Sequence, residues 1–313
     1  MLLTARLVLL GLLVGYTLCA LFVHRRGRVR LRFDRQFVDH SGVFAPYNLL
    51  MYAFSAVAAE PFIDRRRFPI MDIVQQEWET LREEALCLLA QHHLSASMQH
   101  DDASFNSFFR QGWKRFYLKW YGDPLPSAVA LCPRSIALLE RVPVIRGAMF
   151  ALLPPGGRLN PHRDPFAGSL RYHLGLITPN SDDCRIFVDG SMYAWRDGED
   201  VVFDETYVHW AENWTDQPRV ILFCDLERPL RTRVVRAVNR HVSAFMGKIT
   251  ASPNQGLDRT GGVNRVYAWA HRKCTNERHS GRPAWMRKRP VKYSFILFSL
   301  WIIFLAPYPF HVH

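Results

Sequence analysis

Ser169-Leu170-Arg171-Tyr172-His173-Leu174-Gly175-Leu176 decides the fold. Its alternation puts Arg171 and His173 on one face and Leu170, Tyr172 and Leu174 on the other, the period of a β-strand with one apolar face. Arg219-Val220-Ile221-Leu222-Phe223 repeats the pattern, with one guanidinium at the start of an apolar strand. From Phe105 onward, short aromatic and β-branched runs are separated by turn signals: Gly122-Asp123-Pro124, Pro154-Pro155-Gly156-Gly157, Pro165 and Asp189-Gly190. Regular short strands over about a hundred residues predict a mainly β, jelly-roll architecture, which also disposes of exposed sheet edges. Asp72 to Ala90 predicts a helix whose stripe of Ile73, Trp78, Leu81, Ala85, Leu88 and Leu89 packs on the sheet. Phe44 to Phe62 is apolar and aromatic, suited equally to a membrane interface or to the body.

His162-Arg163-Asp164 precedes the first of these strands, and Phe203-Asp204-Glu205-Thr206-Tyr207-Val208-His209 lies between the two. In extended chain, residues two apart share a face, so His162 and Asp164 offer two ligands from one segment and a neighbouring strand brings His209. Two neutral imidazoles and a carboxylate bind Fe(II) on one face and leave open positions, as in non-haem oxygenases. Zinc accepts the same donors. Arg219 needs an anionic partner if buried: either a structural pair with Asp204, Glu205 or Asp225, or the carboxylate of a bound co-substrate such as 2-oxoglutarate.

The formal net charge of +12 is unevenly spread over the 313 residues. Residues 24–35 carry six arginines against Asp34, and residues 228–292 carry sixteen Lys or Arg against Asp258 and Glu277. The intervening body holds 17 basic and 25 acidic side chains, so it repels polyanions, and no nucleic-acid partner is expected. Both basic flanks abut apolar runs. Leu7 to Val23 is uncharged and followed at once by the arginine cluster. A cleavable signal carries its charge before the apolar run, so this order favours an uncleaved anchor, with the positive side in the cytoplasm. Tyr293 to Phe310 is a second apolar segment, short for a span and interrupted by Pro307 and Pro309. Six cysteines without a C-x-x-C pair fit a reducing compartment. The resulting division is a transmembrane anchor at 2–23, a catalytic domain at 36–230 with its motifs in 147–230, a basic helical membrane-proximal region at 231–292 and a second transmembrane segment at 293–310. Val234, Val238, Val242, Phe245 and Ile249 interleaved with arginines predict an amphipathic helix, either interfacial or docked on the domain.

Pro161-His162-Arg163-Asp164-Pro165, Leu170 to Leu176, Trp195-Arg196-Asp197-Gly198-Glu199 and Phe203 to His209, ending in Arg219, together resemble the aspartyl/asparaginyl β-hydroxylase family. The resemblance implies a double-stranded β-helix (jelly roll, cupin-like) with flanking helices and terminal transmembrane segments. It also implies an Fe(II)- and 2-oxoglutarate-dependent dioxygenase. Phe105-Asn106-Ser107-Phe108-Phe109, the stretch Gly112 to Gly122, Leu131-Cys132-Pro133-Arg134 and the terminal anchors are similar to the membrane-anchored bacterial branch that hydroxylates C2 of an acyl chain of lipid A.

By that resemblance His162 and His209 match the iron ligands. Arg219 matches the partner of the distal carboxylate of 2-oxoglutarate, and Arg171 and His173 match residues near its other end. Asp164 departs from the animal members, which lack an acid there; it is a third ligand or an acceptor beside the ligands. Ala151 stands where those relatives offer a hydroxyl. Trp113, Lys114, Arg115 and Lys119 are candidates for contact with lipid phosphates and headgroups. The expected partners are molecular oxygen, the bilayer and lipid A or a related lipid, at the cytoplasmic face of the inner membrane. Alternatives are another membrane lipid, such as an ornithine lipid, or a non-catalytic cupin-like membrane sensor.

Overall fold

The computed structural model describes residues 2–37, 40–96 and 102–279, so the expected segment 293–310 lies outside the described residues. Two compact units divide the chain, residues 1–265 and 266–313; of the second, the described part, residues 266–279, is helical.

Helix α1 (Leu2–Arg25) is followed by α2 (Ala45–Ala53) and the short strand β1 (Phe62–Ile63). The predicted helix over 72–90 is two, α3 (Asp72–Gln76) and α4 (Trp78–Ala90), because Glu77 leaves the helical region at ψ 22°. Then come α5 (Asn106–Phe109), β2 (Lys114–Trp120), α6 (Pro126–Leu131) and α7 (Pro133–Glu140). An unbroken series of strands follows: β3 (Ile145–Leu153), β4 (Arg158–His162), β5 (Ser169–Ile177), β6 (Cys184–Val188), β7 (Ser191–Ala194), β8 (Asp200–Phe203), β9 (His209–Asn213) and β10 (Arg219–Glu227). Helices α8 (Arg233–Thr250) and α9 (Gly262–His279) end the described chain.

Six strands form one antiparallel sheet in the order β1-β8-β5-β10-β3-β2, and four form a second in the order β4-β9-β6-β7. That is the double-stranded β-helix the sequence predicts. Two cores follow from the alternation. Leu170, Tyr172, Leu174 and Leu222 face out from the large sheet and pack with Leu81, Ala85 and Leu88 of α4. Met149, Phe203, Phe223 and Ile221 join Leu159, Ile186 and Trp195 in the other core, which wraps the cavity described below. Gly175 is required in β5 because a Cβ there would collide with the Arg196 carbonyl. Asp189 and Gly190 both adopt positive φ, 51° and 84°, giving the tight β6–β7 hairpin.

The exposed edge of β2 is covered by residues 252–254: Asn254 Oδ1 accepts from the Tyr117 N–H at 2.7 Å and its Nδ2 donates to the Tyr117 carbonyl at 2.8 Å. Phe44 to Phe62 packs on the body through Ala45, Asn48 and Met51, with Tyr47 stacked on Phe166 at 5.0 Å. Helix α8 docks by its small and polar face, Val235, Asn239, Ser243 and Gly247, and leaves Val234, Val238 and Phe245 exposed. Among the described residues one helix, over Arg6–Arg25, is long and apolar enough to cross a membrane, with mean hydropathy 2.2.

Candidate metal and co-substrate site

β4 and β9 are neighbours in the small sheet, and their register sets His162 directly opposite His209, ring centroids 4.2 Å apart. The two rings are oriented alike. His162 Nδ1 lies 2.7 Å from the Asn160 carbonyl and His209 Nδ1 lies 3.0 Å from the Tyr207 carbonyl. A carbonyl only accepts, so each Nδ1 carries the proton and each Nε2 keeps a lone pair for a metal. Asp164 stands just past the end of β4, tied by its N–H to the Glu205 carbonyl at 3.0 Å. One donor atom each from His162, Asp164 and His209 lies within 4.8 Å of the others, a set that suits Fe(II) or zinc. Asp164 divides its oxygens: Oδ2 accepts from Arg171 at 2.8 Å, while Oδ1 lies 3.9 Å from His162 Nε2. Burial opposes ionisation of Asp164, but Arg171, His209 and His162 outweigh it and hold its pKa below the ordinary carboxylate range. Burial, reinforced by His162, pushes the His209 pKa down to about 3, keeping that imidazole neutral and ready to ligate.

Two arginines border the same cavity, and the structure reverses their expected partners. Asp204, Glu205 and Asp225 were the alternative partners of Arg219. Glu205 and Asp225 instead face Arg171: Asp225 Oδ1 is 2.9 Å from its Nε, and Glu205 Oε2 is in close contact with its Nη2. The cause is strand order. β5 lies between β8 and β10, and Arg171 is registered against Asp225. Asp204 is taken by Arg228 at 2.9 Å and Arg26 at 2.8 Å. Arg219 pairs with no carboxylate among the described residues. It is 2% exposed, its Nε lacks a hydrogen-bond partner, and its guanidinium lies 4.3 Å from the Trp195 ring centre. Burial lowers its pKa to about 10, which still leaves it charged at neutral pH.

The cavity encloses about 460 Å³ of empty space, part of it open to solvent. The metal donors lie on its better-exposed side and Arg219 on its inner side, with His173 between aromatic rings of Trp195, Phe203 and Phe223. Both His173 ring nitrogens are buried without a partner, and burial, then Arg219, drives its pKa well below the ordinary imidazole value. Ala151 is part of the wall, so a methyl and not a hydroxyl faces the cavity there. Trp195, which carries no polar-face signal in its motif, is the face on which Arg219 stacks. Phe108 sits with its ring 4.8 Å from that of His162.

Of the four residues expected to meet a lipid headgroup, Trp113 is buried and lines the cavity, and Lys114 is exposed. Lys119 is half-buried, its pKa lowered by burial and by Arg146. Arg115 is corrected: at 2% exposure it ion-pairs with Asp102 at 3.2 Å and donates to Ser252 Oγ at 2.9 Å. The segment covering the β2 edge buries it, so it holds that segment down and cannot reach a phosphate.

Residues 75–229 match the family model for aspartyl/asparaginyl β-hydroxylase. An ornithine lipid ester-linked acyl 2-hydroxylase of Rhizobium tropici is 33% identical over 57% of this chain and 64% of its own length. The human aspartate β-hydroxylase domain-containing protein 2 is 33% identical over 37% of this chain and 34% of its own length. The chain thus spans less than two thirds of these relatives. Among solved structures, a Pseudomonas putida prolyl-4-hydroxylase aligns at 19% identity over 49% of this chain and 87% of that chain, with a TM-score of 0.32. The matched span takes in β3 to β10 and every metal donor and arginine of the cavity, and the chain belongs to the aspartyl/asparaginyl β-hydroxylase family.

Proposed function

We propose that the chain is an Fe(II)- and 2-oxoglutarate-dependent dioxygenase that hydroxylates C2 of an acyl chain of lipid A, using molecular oxygen at the cytoplasmic face of the inner membrane. The observation that carries the reading is Arg219, a buried cation with no carboxylate partner among the described residues, in the same cavity as His162, Asp164 and His209. An unpaired buried charge is costly, and a dicarboxylate co-substrate removes the cost by pairing one end with Arg219 and turning the other toward the metal donors.

His162, His209 and Asp164 would hold the iron. When bound, it supplies the activation of oxygen coupled to oxidative decarboxylation of the co-substrate. The chain does the rest. The Asn160 and Tyr207 carbonyls keep each Nε2 aimed inward, and Arg171 stops Asp164 from turning away. Arg219 and Trp195 orient the co-substrate, with His173 as a further donor beside it. Phe108 and Trp113 line the exposed side, where an acyl chain enters. Helix α1 serves as the anchor, and the arginines that follow place the body on the cytoplasmic side. Exposed Val234, Val238 and Phe245 of α8, beside Arg233, Arg240 and Lys248, suit an anionic bilayer surface.

An ornithine lipid is the second substrate reading, favoured by the name of the 33% identical rhizobial relative. Anaerobic titration with Fe(II) and 2-oxoglutarate tests the site: a metal-to-ligand absorption band is expected, and it should vanish in His162→Ala along with all hydroxylation. No band in the unsubstituted protein would overturn the dioxygenase reading in favour of a non-catalytic membrane sensor. Mass spectrometry of lipids from cells with and without the protein separates the substrates. One added oxygen confined to lipid A is expected, whereas the same shift confined to an amino lipid selects the second reading.

A further inference from the structure

Arg163 stands between two metal donors, yet its side chain turns away from them. It is 3% exposed and donates to three backbone carbonyls at the end of α1: to Val23, to His24 at 3.3 Å and to Arg26 at 2.9 Å. The last carbonyls of a helix have no partner within it, and a cation there also complements the helix dipole. The residue that caps the apolar helix is therefore the one that links His162 to Asp164.

The opposite attachment is Arg26. Its guanidinium donates to Thr206 Oγ1 at 2.7 Å and Asp204 Oδ2 at 2.8 Å, and lies 3.8 Å from the Tyr207 ring centre. These three residues belong to the segment that leads into His209. A third tie runs through Asp189, whose Oδ1 accepts from the Arg28 and Val29 N–H groups at 2.6 and 2.8 Å. Asp189 in turn donates its N–H to the carbonyl of Val208, next to His209. Gly27, at φ +87°, makes this close approach feasible, since a Cβ would lie 2.6 Å from Asp189 Oδ1. Both segments that supply the candidate metal donors are thus fastened to residues 23–29, the last turn of the apolar helix and the chain that leaves it.

Resting on the membrane dioxygenase reading above, we propose that Arg163 and Arg26 are positioning residues: they clasp the end of the anchor to the metal site, fix its height at the membrane surface and thereby select the carbon hydroxylated. Arg25 ends the apolar helix, and one arginine side chain separates that end from His162 and Asp164. The donors therefore sit at headgroup level, where the C–H bonds within reach are those nearest the headgroup end of an acyl chain, not those near its methyl end.

The test uses the full chain in phosphatidylethanolamine–phosphatidylglycerol discs doped in parallel with lipid A or an ornithine lipid. In Arg163→Gln, hydrogen exchange of the Arg28 and Val29 amides should quicken about tenfold. The iron–2-oxoglutarate band should persist. The hydroxyl should spread from one carbon to its neighbours, and succinate formed per hydroxylated lipid should rise, with partial recovery in Arg163→Lys. Loosened exchange with an unchanged product position and ratio would overturn the proposal, since the clasp would then be merely structural. If Arg163→Gln fails to fold, Arg26→Gln, which lies outside both donor-bearing segments, is read against the same outcomes. A wild-type protein with no band and no hydroxylated lipid sinks the dioxygenase reading instead, while amides at 28 and 29 that exchange freely in that protein sink the clasp.

Discussion

Within one cavity Arg171 faces Asp164, Glu205 and Asp225, whereas Arg219 faces Trp195 and no carboxylate among the described residues. Both guanidiniums are buried, and both come from strands of the same sheet. The first is satisfied by its own chain. Its three acids outnumber it, and burial, against the opposing pull of Arg171 and helped by Asp225 and Asp164, lifts the Glu205 pKa well above the ordinary range. The second has no such partner, and the proposed co-substrate would supply one. A buried charge whose partners are internal serves the fold, and one without them is a binding site awaiting its counter-charge.

Substituting each arginine breaks the comparison in opposite ways. Arg171→Met strands buried acids and should destabilise the fold by about 3–5 kcal/mol in urea unfolding. A loss below about 1 kcal/mol would mean that the acids are already neutral or hydrated. Arg219→Met removes an unpaired cation, so stability should hold, while affinity for 2-oxoglutarate falls about 100-fold. Thermal shifts measure both quantities at once: co-substrate at a hundred times its Kd adds about 2.7 kcal/mol to the unsubstituted, iron-loaded protein and only about 0.4 kcal/mol to the variant. Equal stabilisation of the two would remove Arg219 from the co-substrate site.

Per unit of pH the next effect is smaller. His209 is neutral in the fold with a pKa of about 3 against 6.5 in the unfolded chain, so below pH 6.5 the unfolded state binds more protons. Stability of the metal-free protein should therefore fall as pH drops from 6.5 toward 3, by up to about 1.4 kcal/mol per unit from this group. His209→Gln should flatten that slope, and an unchanged slope would place the titration elsewhere. Smallest of all, Glu205→Gln replaces a carboxyl whose pKa burial has raised, and should shift stability by less than about 1 kcal/mol without altering the iron–2-oxoglutarate band. A larger loss would show that Glu205 is ionised beside Arg171.

Alternation along single strands made much of this legible in advance. The period-two pattern of residues 169–176 and 219–223 specified strands and their polar faces, and the H-x-D spacing put His162 and Asp164 on one side. Local signals also misled. The apolar stripe of residues 73–89 predicts one helix, but the chain breaks at Glu77, where no glycine or proline marks the change. Arg115 reads as a surface cation in an aromatic, basic stretch, and only the segment 252–254 folding over the β2 edge buries it against Asp102.

By itself the sequence determined the strands and their faces, the candidate pair His162 and Asp164 and the apolar helix, because each is written in spacing of a few residues within one segment. The tertiary structure alone decided which arginine pairs with acids, which stays open for a ligand, and that Arg163 caps the helix 140 residues earlier. Those outcomes depend on strand order and on contacts between distant segments, and Coulomb partners are chosen by distance in space, which no local pattern encodes.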